Sequence, residues 1–311
     1  MQKKDLLSMT DLDADDILKL IDRAIALKQQ DRRPLLAGKT LALIFEKPSL
    51  RTRVSFEVAM QQLGGNAIYL SQSEVGLGQR ESVSDVARVL SRYVDVIVTR
   101  TFYHRQAQLL AENATVPVIN GLSDEEHPCQ ALADLLTIYE KKGRLKGVTI
   151  AFVGDANNVA NSLLLGASIV GADFHIASPP GYQLKEMVLR RAQGFAAQSG
   201  AKILCTEQPQ AAVRGADIVY TDVWISMGQE EEAERRRADF AGYQVTAQLL
   251  ALAHEGALFM HPLPAHRGEE VASGLIDGPQ SIVFDQAENR LHAQKALLVD
   301  LLGDTRIEAT P

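Results

Sequence analysis

The chain has 311 residues, 46% of them hydrophobic, which is enough for a large core and for two domains. Its net charge of −7, with no basic face or tail outside local arginine clusters, argues against nucleic acid as a bulk partner, and no apolar run nears the roughly 20 residues needed to span a bilayer. Two cysteines, Cys129 and Cys205, are too few for a disulfide framework, and the N-terminal stretch lacks the apolar core of a signal peptide, so a cytoplasmic protein is expected.

In chain order, Asp13 to Gln29 carries Ile17, Leu20, Ile21, Ala24 and Ile25 on one stripe, which predicts a core-facing helix. Thr40 to Phe45 reads as a buried strand and Val54 to Leu63 as a helix. Between them lies Glu46-Lys47-Pro48-Ser49-Leu50-Arg51-Thr52-Arg53. Two hydroxyls and two guanidiniums gather there, where a helix start leaves N–H groups unpaired and the positive end of the dipole exposed. That is a site for a compact dianion such as phosphate. A simpler reading has Ser49 or Thr52 merely capping the helix. Against it, Arg51 and Arg53 side by side repel unless an anion lies between them. The chain holds no GxxxxGK[ST], so the phosphate is expected on a small molecule.

Asn66 to Leu70 and Tyr93 to Thr99 read as strands, with a helix from Ser82 to Arg92 and a polar surface loop, Ser71 to Arg80, holding Gly76 and Gly78. The second strand leads into Arg100. Ligands of open α/β sheets bind at the carboxyl ends of strands, so Arg100 is placed to reach the site of Arg51, although a surface arginine fits the pattern as well. After a strand over Val116 to Asn120, His127-Pro128-Cys129-Gln130 opens a helix that covers Ala131 to Lys141. Pro128 suits the first turn, which leaves His127 at the cap, able to donate to a carbonyl or phosphoryl oxygen or simply to start the helix. Gln130 offers an amide one turn in. The pattern restarts after Lys141 to Gly147, and the domain boundary is placed there.

The second half opens with a strand over Val148 to Asp155 and a turn, Ala156-Asn157-Asn158, into a helix. That order raises a nicotinamide-dependent oxidoreductase, but there is one glycine, no GxGxxG, and no acidic residue ending the next strand, Asp173 to Ala177. The paired asparagines either offer side-chain amides to a polar small molecule or cap the helix. A strand over Ala216 to Thr221 feeds Asp222, with Ser226-Met227-Gly228 beyond it, a loop suited to holding an amine. Glu230 to Arg237 reads as a solvated helix face with acid–base pairs at i,i+4. The strand Ala257 to Met260 ends in His261-Pro262-Leu263-Pro264, whose prolines predict an extended backbone with carbonyls facing a ligand. A closing helix, Asp285 to Leu302, carries Arg290 near its start. The histidines are scattered and show no HExxH, so no metal or organic cofactor is expected.

Taken as a set, Ser49-Leu50-Arg51-Thr52-Arg53, His127-Pro128-Cys129-Gln130, Asp222 with Ser226-Met227-Gly228, and His261-Pro262-Leu263-Pro264 resemble the aspartate/ornithine transcarbamylase family, in order from about Leu41 to Lys295, and its ornithine branch most closely. The resemblance implies an α/β fold of two domains, each a mainly parallel central sheet flanked by helices. Residues 1–140, completed by the C-terminal helix 286–311, would bind carbamoyl phosphate, and 147–285 the amino acid. It also implies carbamoyl transfer to the δ-amine of ornithine without a cofactor, the two small-molecule substrates as partners, and a homotrimer or a multiple of it. Carried onto this chain, Ser49, Leu50, Arg51, Thr52, Gly76, Arg100, His127, Pro128, Cys129, Gln130, Pro262, Leu263 and Arg290 would form the carbamoyl phosphate site, with Arg51, Arg100, His127 and Pro262 at the chemistry. Asn158, Asp222, Ser226 and Met227 would hold ornithine. Three positions depart from the family pattern: Leu50 replaces a usual threonine, Gly76 stands where a residue reaching a neighbouring subunit is common, and Pro262 replaces the cysteine of the ornithine branch, as in the aspartate branch. Another acceptor, such as aspartate, and a non-catalytic carbamoyl phosphate-binding relative are the competing readings.

Overall fold

The computed structural model describes residues 4–29, 33–226 and 228–303. The chain divides into two compact units, Met1–Leu136 with Asn289–Pro311, and Thr137–Glu288.

In the first unit α1 (Ala14–Gln29) buries Ile17, Leu20, Ile21, Ala24 and Leu27. It is followed by β1 (Thr40–Phe45), α2 (Leu50–Gln62), β2 (Asn66–Ser71), α3 (Gln72–Val75), α4 (Val83–Leu90), β3 (Val96–Arg100), α5 (His104–Asn113), β4 (Val118–Leu122) and α6 (Pro128–Lys142). The strands form a parallel four-stranded sheet in the order β2-β1-β3-β4. Central parallel strands are covered on both faces, which is why β1 and β3 read as unbroken apolar runs. The edge strand β2 is only partly covered.

The second unit contains β5 (Thr149–Val153), α7 (Asn158–Val170), β6 (Asp173–Ala177), α8 (Glu186–Ser199), β7 (Ile203–Thr206), α9 (Pro209–Val213), β8 (Ile218–Tyr220), α10 (Ala233–Asp239), α11 (Ala247–Leu250) and β9 (Leu258–Met260). Its parallel sheet runs β7-β6-β5-β8-β9. α7 is buried from Val159 to Val170, as its nearly continuous apolar sequence requires. The last helix, α12 (Val283–Leu302), begins in the second unit and ends in the first.

Two expectations change. The segment after β2 is not a plain loop: Ser71 starts α3, with its N–H and hydroxyl both donating to Glu74, and Gly76 ends it in the left-handed region at φ 58°. A Cβ at Gly76 would also lie 2.7 Å from the Arg80 Cβ. Nor is the backbone between the two prolines extended throughout, because Leu263 has φ 57°. A non-glycine residue held there is strained unless its surroundings fix it.

Candidate active site

In the first sheet β1 and β3 lie side by side, Phe45 against Arg100, where the chain turns toward opposite edges. Ligands of open parallel sheets bind at such switch points. Beyond Phe45, Ser49 caps α2, its hydroxyl accepting the Thr52 N–H at 3.3 Å. Arg51 and Thr52 therefore occupy the first helical turn, beside N–H groups that have no intrahelical acceptor. Arg53 departs from the expected pair of guanidiniums. Its Nε donates to Glu57 Oε1 at 2.9 Å, and it stacks 3.8 Å from the centroid of Tyr69.

The cations that gather with Arg51 come from elsewhere in the unit. Arg290 of α12 donates through Nη1 to Gln130 Oε1 at 2.6 Å and through Nη2 to Thr52 Oγ1 at 3.0 Å. Gln130 Nε2 in turn donates to Asp134 Oδ1 at 2.8 Å, so Thr52, Gln130 and Arg290 are fixed, buried, by one network across three helices. Arg100 ends β3 with a buried Nε that has no hydrogen-bond partner among the described residues. Burial and the guanidiniums of Arg290 and Arg51 push Arg100 down to about 10. His127, buried just before Pro128 at the start of α6, is held well below the usual histidine range by burial and then by Arg290, Arg100 and Arg51. Every charge named in acting on these two groups is a guanidinium, which is the electrostatic pattern of an anion pocket. Cys129 plays no nucleophilic part: its thiol, pushed up to about 12 by burial, points at the Asn120 carbonyl, 3.5 Å away. Leu50 is 74% exposed, and among the described residues no contact joins Gly76 to the arginine group.

In the second sheet β8 lies between β5 and β9, with Tyr220 against both Phe152 and Met260, so the segments leaving all three strands emerge together. Asn157 caps α7, its Oδ1 accepting the N–H groups of Val159 and Ala160 at 3.0 and 3.1 Å, and its Nδ2 donates to Asp222 Oδ2 at 2.8 Å. Of the two readings of the paired asparagines, Asn157 takes the helix-capping one. Asn158, the residue expected to hold the amino acid, is the first residue of the helix and is half-buried. Asp222 also accepts the Val223 N–H at 2.8 Å, and burial raises its pKa, which favours an added cation beside it. The Ser226 N–H donates to Gln229 Oε1 at 3.0 Å, and Met227 lies outside the described residues.

The Pro262–Leu263 segment hangs from His261. The Leu263 N–H donates to His261 Nδ1 at 3.0 Å, so Nε2 carries the proton and donates to Glu270 Oε1 at 3.1 Å, with both side chains fully buried. The His261 N–H donates to Gln286 Oε1 at 2.8 Å. This web sets the unusual backbone of Leu263. Among the described residues one group has metal-ligand proximity: ligand atoms of His266, Glu269 and Glu270 lie within 4.8 Å of one another. Arg237 pairs with Glu269, and Glu270 Oε1 also accepts the His266 N–H, so the group is built into the hydrogen-bond network.

One sequence reading is corrected at a single residue. The run Glu230 to Arg237 is not simply a solvated face, because Arg236 is 4% exposed, ion-paired with Asp155, and donates from Nε to the Trp224 carbonyl at 2.5 Å. Burial raises Asp155 to about 6 against the pull of Arg236. Arg236 thereby ties α10 to the turn after β5 and to the loop after β8.

Arg51 and Arg100, half-buried, gather with the buried Arg290 at one parallel-sheet switch point, and the buried carboxylate of Asp222 lies at the switch point of the other sheet, an arrangement suited to an anion at the first and a cation at the second. Residues 4–140 match the family model described as aspartate/ornithine carbamoyltransferase, carbamoyl-P binding domain, and residues 146–301 match the Asp/Orn binding domain of the same enzymes. The chain belongs to the aspartate/ornithine carbamoyltransferase family. It is 54% identical over 306 residues to the ornithine carbamoyltransferase of Anoxybacillus flavithermus, covering 97% of this chain and 98% of the relative. With that of Bacillus subtilis the identity is 55% over 299 residues, covering 96% and 94%. The structure of ornithine carbamoyltransferase from Pyrococcus furiosus matches with a TM-score of 0.93 at 52% identity over 98% of both chains. Among the described residues no helix is long and apolar enough to cross a membrane.

Proposed function

We propose that this chain transfers the carbamoyl group of carbamoyl phosphate to the δ-amine of L-ornithine, giving L-citrulline and phosphate, in the cytoplasm as a step of arginine biosynthesis. The observation that carries the reading is the buried Arg290 with the half-buried Arg51 and Arg100 gathered around a buried, neutral His127. Ser49, Leu50, Arg51 and Thr52, on the amino end of α2, receive the phosphate. Arg100, His127 and the Thr52 hydroxyl donate to the carbamoyl oxygen, while Gln130, Arg290 and the main-chain carbonyls of Pro262 and Leu263 orient the rest of that group. Pro128 and Cys129 shape the pocket from the start of α6. Asn158, Asp222, Ser226 and Met227 hold the amino acid.

The uncharged δ-amine places its lone pair on the carbonyl carbon, and the π pair moves to oxygen. The donors named above stabilise that oxyanion without reorganising. Collapse breaks the carbon–oxygen bond to phosphate, which leaves with the electron pair and takes up the proton lost from nitrogen. Phosphate is already a good leaving group, so no covalent enzyme intermediate is needed. Alignment of the two substrates supplies up to roughly 7–11 kcal/mol. The family resemblance supports assembly as a homotrimer or a multiple of it.

The test offers carbamoyl phosphate with ornithine, aspartate or putrescine separately and scores ureido product against released phosphate. Turnover with ornithine is expected. Turnover with aspartate alone would make Pro262 a better guide to the acceptor than Asp222 and Ser226, and no product from any of the three would leave a binding protein.

A further inference from the structure

We infer that Glu46 is a positioning residue which clamps the end of β3, and with it Arg100, onto the segment that carries Ser49 and Arg51. Its N–H donates to the Arg100 carbonyl at 2.8 Å. Its carboxylate accepts the Phe102 N–H at 2.8 Å on Oε2 and Gln106 Nε2 at 2.9 Å on Oε1. Gln106 Oε1 accepts the Tyr103 N–H at 3.3 Å, and Lys47 lies 4.6 Å from the centroid of the Phe102 ring. One residue, through its main chain on Arg100 and its side chain on Phe102 and Gln106, therefore fastens both sides of Thr101 to the exit of β1. The need for such a clamp is electrostatic. Arg100 stands among guanidiniums that repel it, and the turn that follows β3 is half exposed to water, so without a fixed backbone the side chain would swing outward. The carboxylate touches no substrate in this scheme and acts through the backbone that carries Arg100. The inference rests on the carbamoyl phosphate reading of the arginine site.

The contact between Glu46 and Gln106 is a carboxylate facing an amide, and it can be inverted. Gln106→Glu sets two carboxylates about 3 Å apart and should weaken both inorganic phosphate binding and the carbamoyl phosphate KM by about tenfold. Adding Glu46→Gln restores a carboxylate–amide pair, because the amide oxygen of the new residue can accept the Phe102 N–H while its nitrogen donates to residue 106. The double variant should return to within about threefold of the original protein. Acceptor KM should move little in either. Phosphate affinity is read by calorimetry and folding by the thermal midpoint. A Gln106→Glu protein with unchanged phosphate affinity would overturn the clamp, as would a double variant no better than the single. So would loss of thermal stability in both with phosphate affinity intact. If the original protein makes no ureido product, the transferase reading fails, but the phosphate affinities still decide the clamp.

Discussion

At the scale of single residues, the arginine site trades stability for affinity. Arg100 is half-buried among like charges, so Arg100→Met should stabilise the ligand-free protein by about 1–2 kcal/mol while lowering kcat/KM for carbamoyl phosphate by about 10²–10³-fold. Denaturant melts in phosphate-free buffer and steady-state kinetics check the two halves of that statement. His127 gives a pH signature. Because its folded-state pKa is lowered, the unfolded chain binds a proton that native His127 refuses, and stability falls as pH drops below about 6.5 toward the folded value. The ring carbon shift of His127 should stay flat from pH 8 to 6.5 in the free protein and begin to titrate at higher pH when phosphate is added, since an anion offsets the guanidiniums. A normal histidine titration without phosphate would contradict the site. Much of this site could be read from the chain, because Arg100 follows a strand and His127 precedes a helix, and both places have a known relation to sheet crevices. Arg53 could not be separated from Arg51 that way, since only the tertiary position of Tyr69 decides which guanidinium turns aside. Asn157 was legible as one of a pair, but which asparagine caps and which follows depends on a helix start that propensity locates only to within a residue or two.

At the scale of elements, α10 shows what pattern alone conceals. A run of four glutamates and three arginines looks solvated, and which arginine faces inward is set by where the helix begins and by Asp155 waiting in another segment. Arg236→Met keeps much of the volume but leaves Asp155 buried without its cation, which raises that carboxyl above its present value of about 6. The loss should be about 3–5 kcal/mol at pH 8 and smaller at pH 5, where Asp155 is protonated and needs no partner. The sign follows from the raised pKa: native Asp155 binds a proton that the unfolded chain has already released, so its ionisation weakens the fold as pH rises. A variant whose deficit is the same at both pH values would show that the ion pair is not what holds α10. The central strands and α1, α7 and α12 were plain from apolar runs and periodicity. α8 and β7 were not, because α8 buries only Ala192 and Ala196 and β7 is an edge strand with no fully covered residue. α3 hid behind polar residues whose role is capping.

At the scale of the whole molecule, the first unit is discontinuous in sequence, and its last segment supplies Arg290 and the buried Ala293, Ala296, Leu297 and Leu298. A fragment ending at Lys142 should therefore lack both a complete core and the network through Thr52 and Gln130, and should bind no phosphate. Adding a peptide spanning 283–303 should restore cooperative melting, and a fragment that bound phosphate with full affinity by itself would contradict this division of the unit. The same layout orders events during synthesis. A ribosome delivers residues 137–288 before the segment that closes the first unit, so the second unit can mature while the first still waits. The guanidinium of Arg290 is thus among the last charges to arrive. A nascent or prematurely terminated chain holds no finished anion pocket with which to sequester a reactive acyl phosphate.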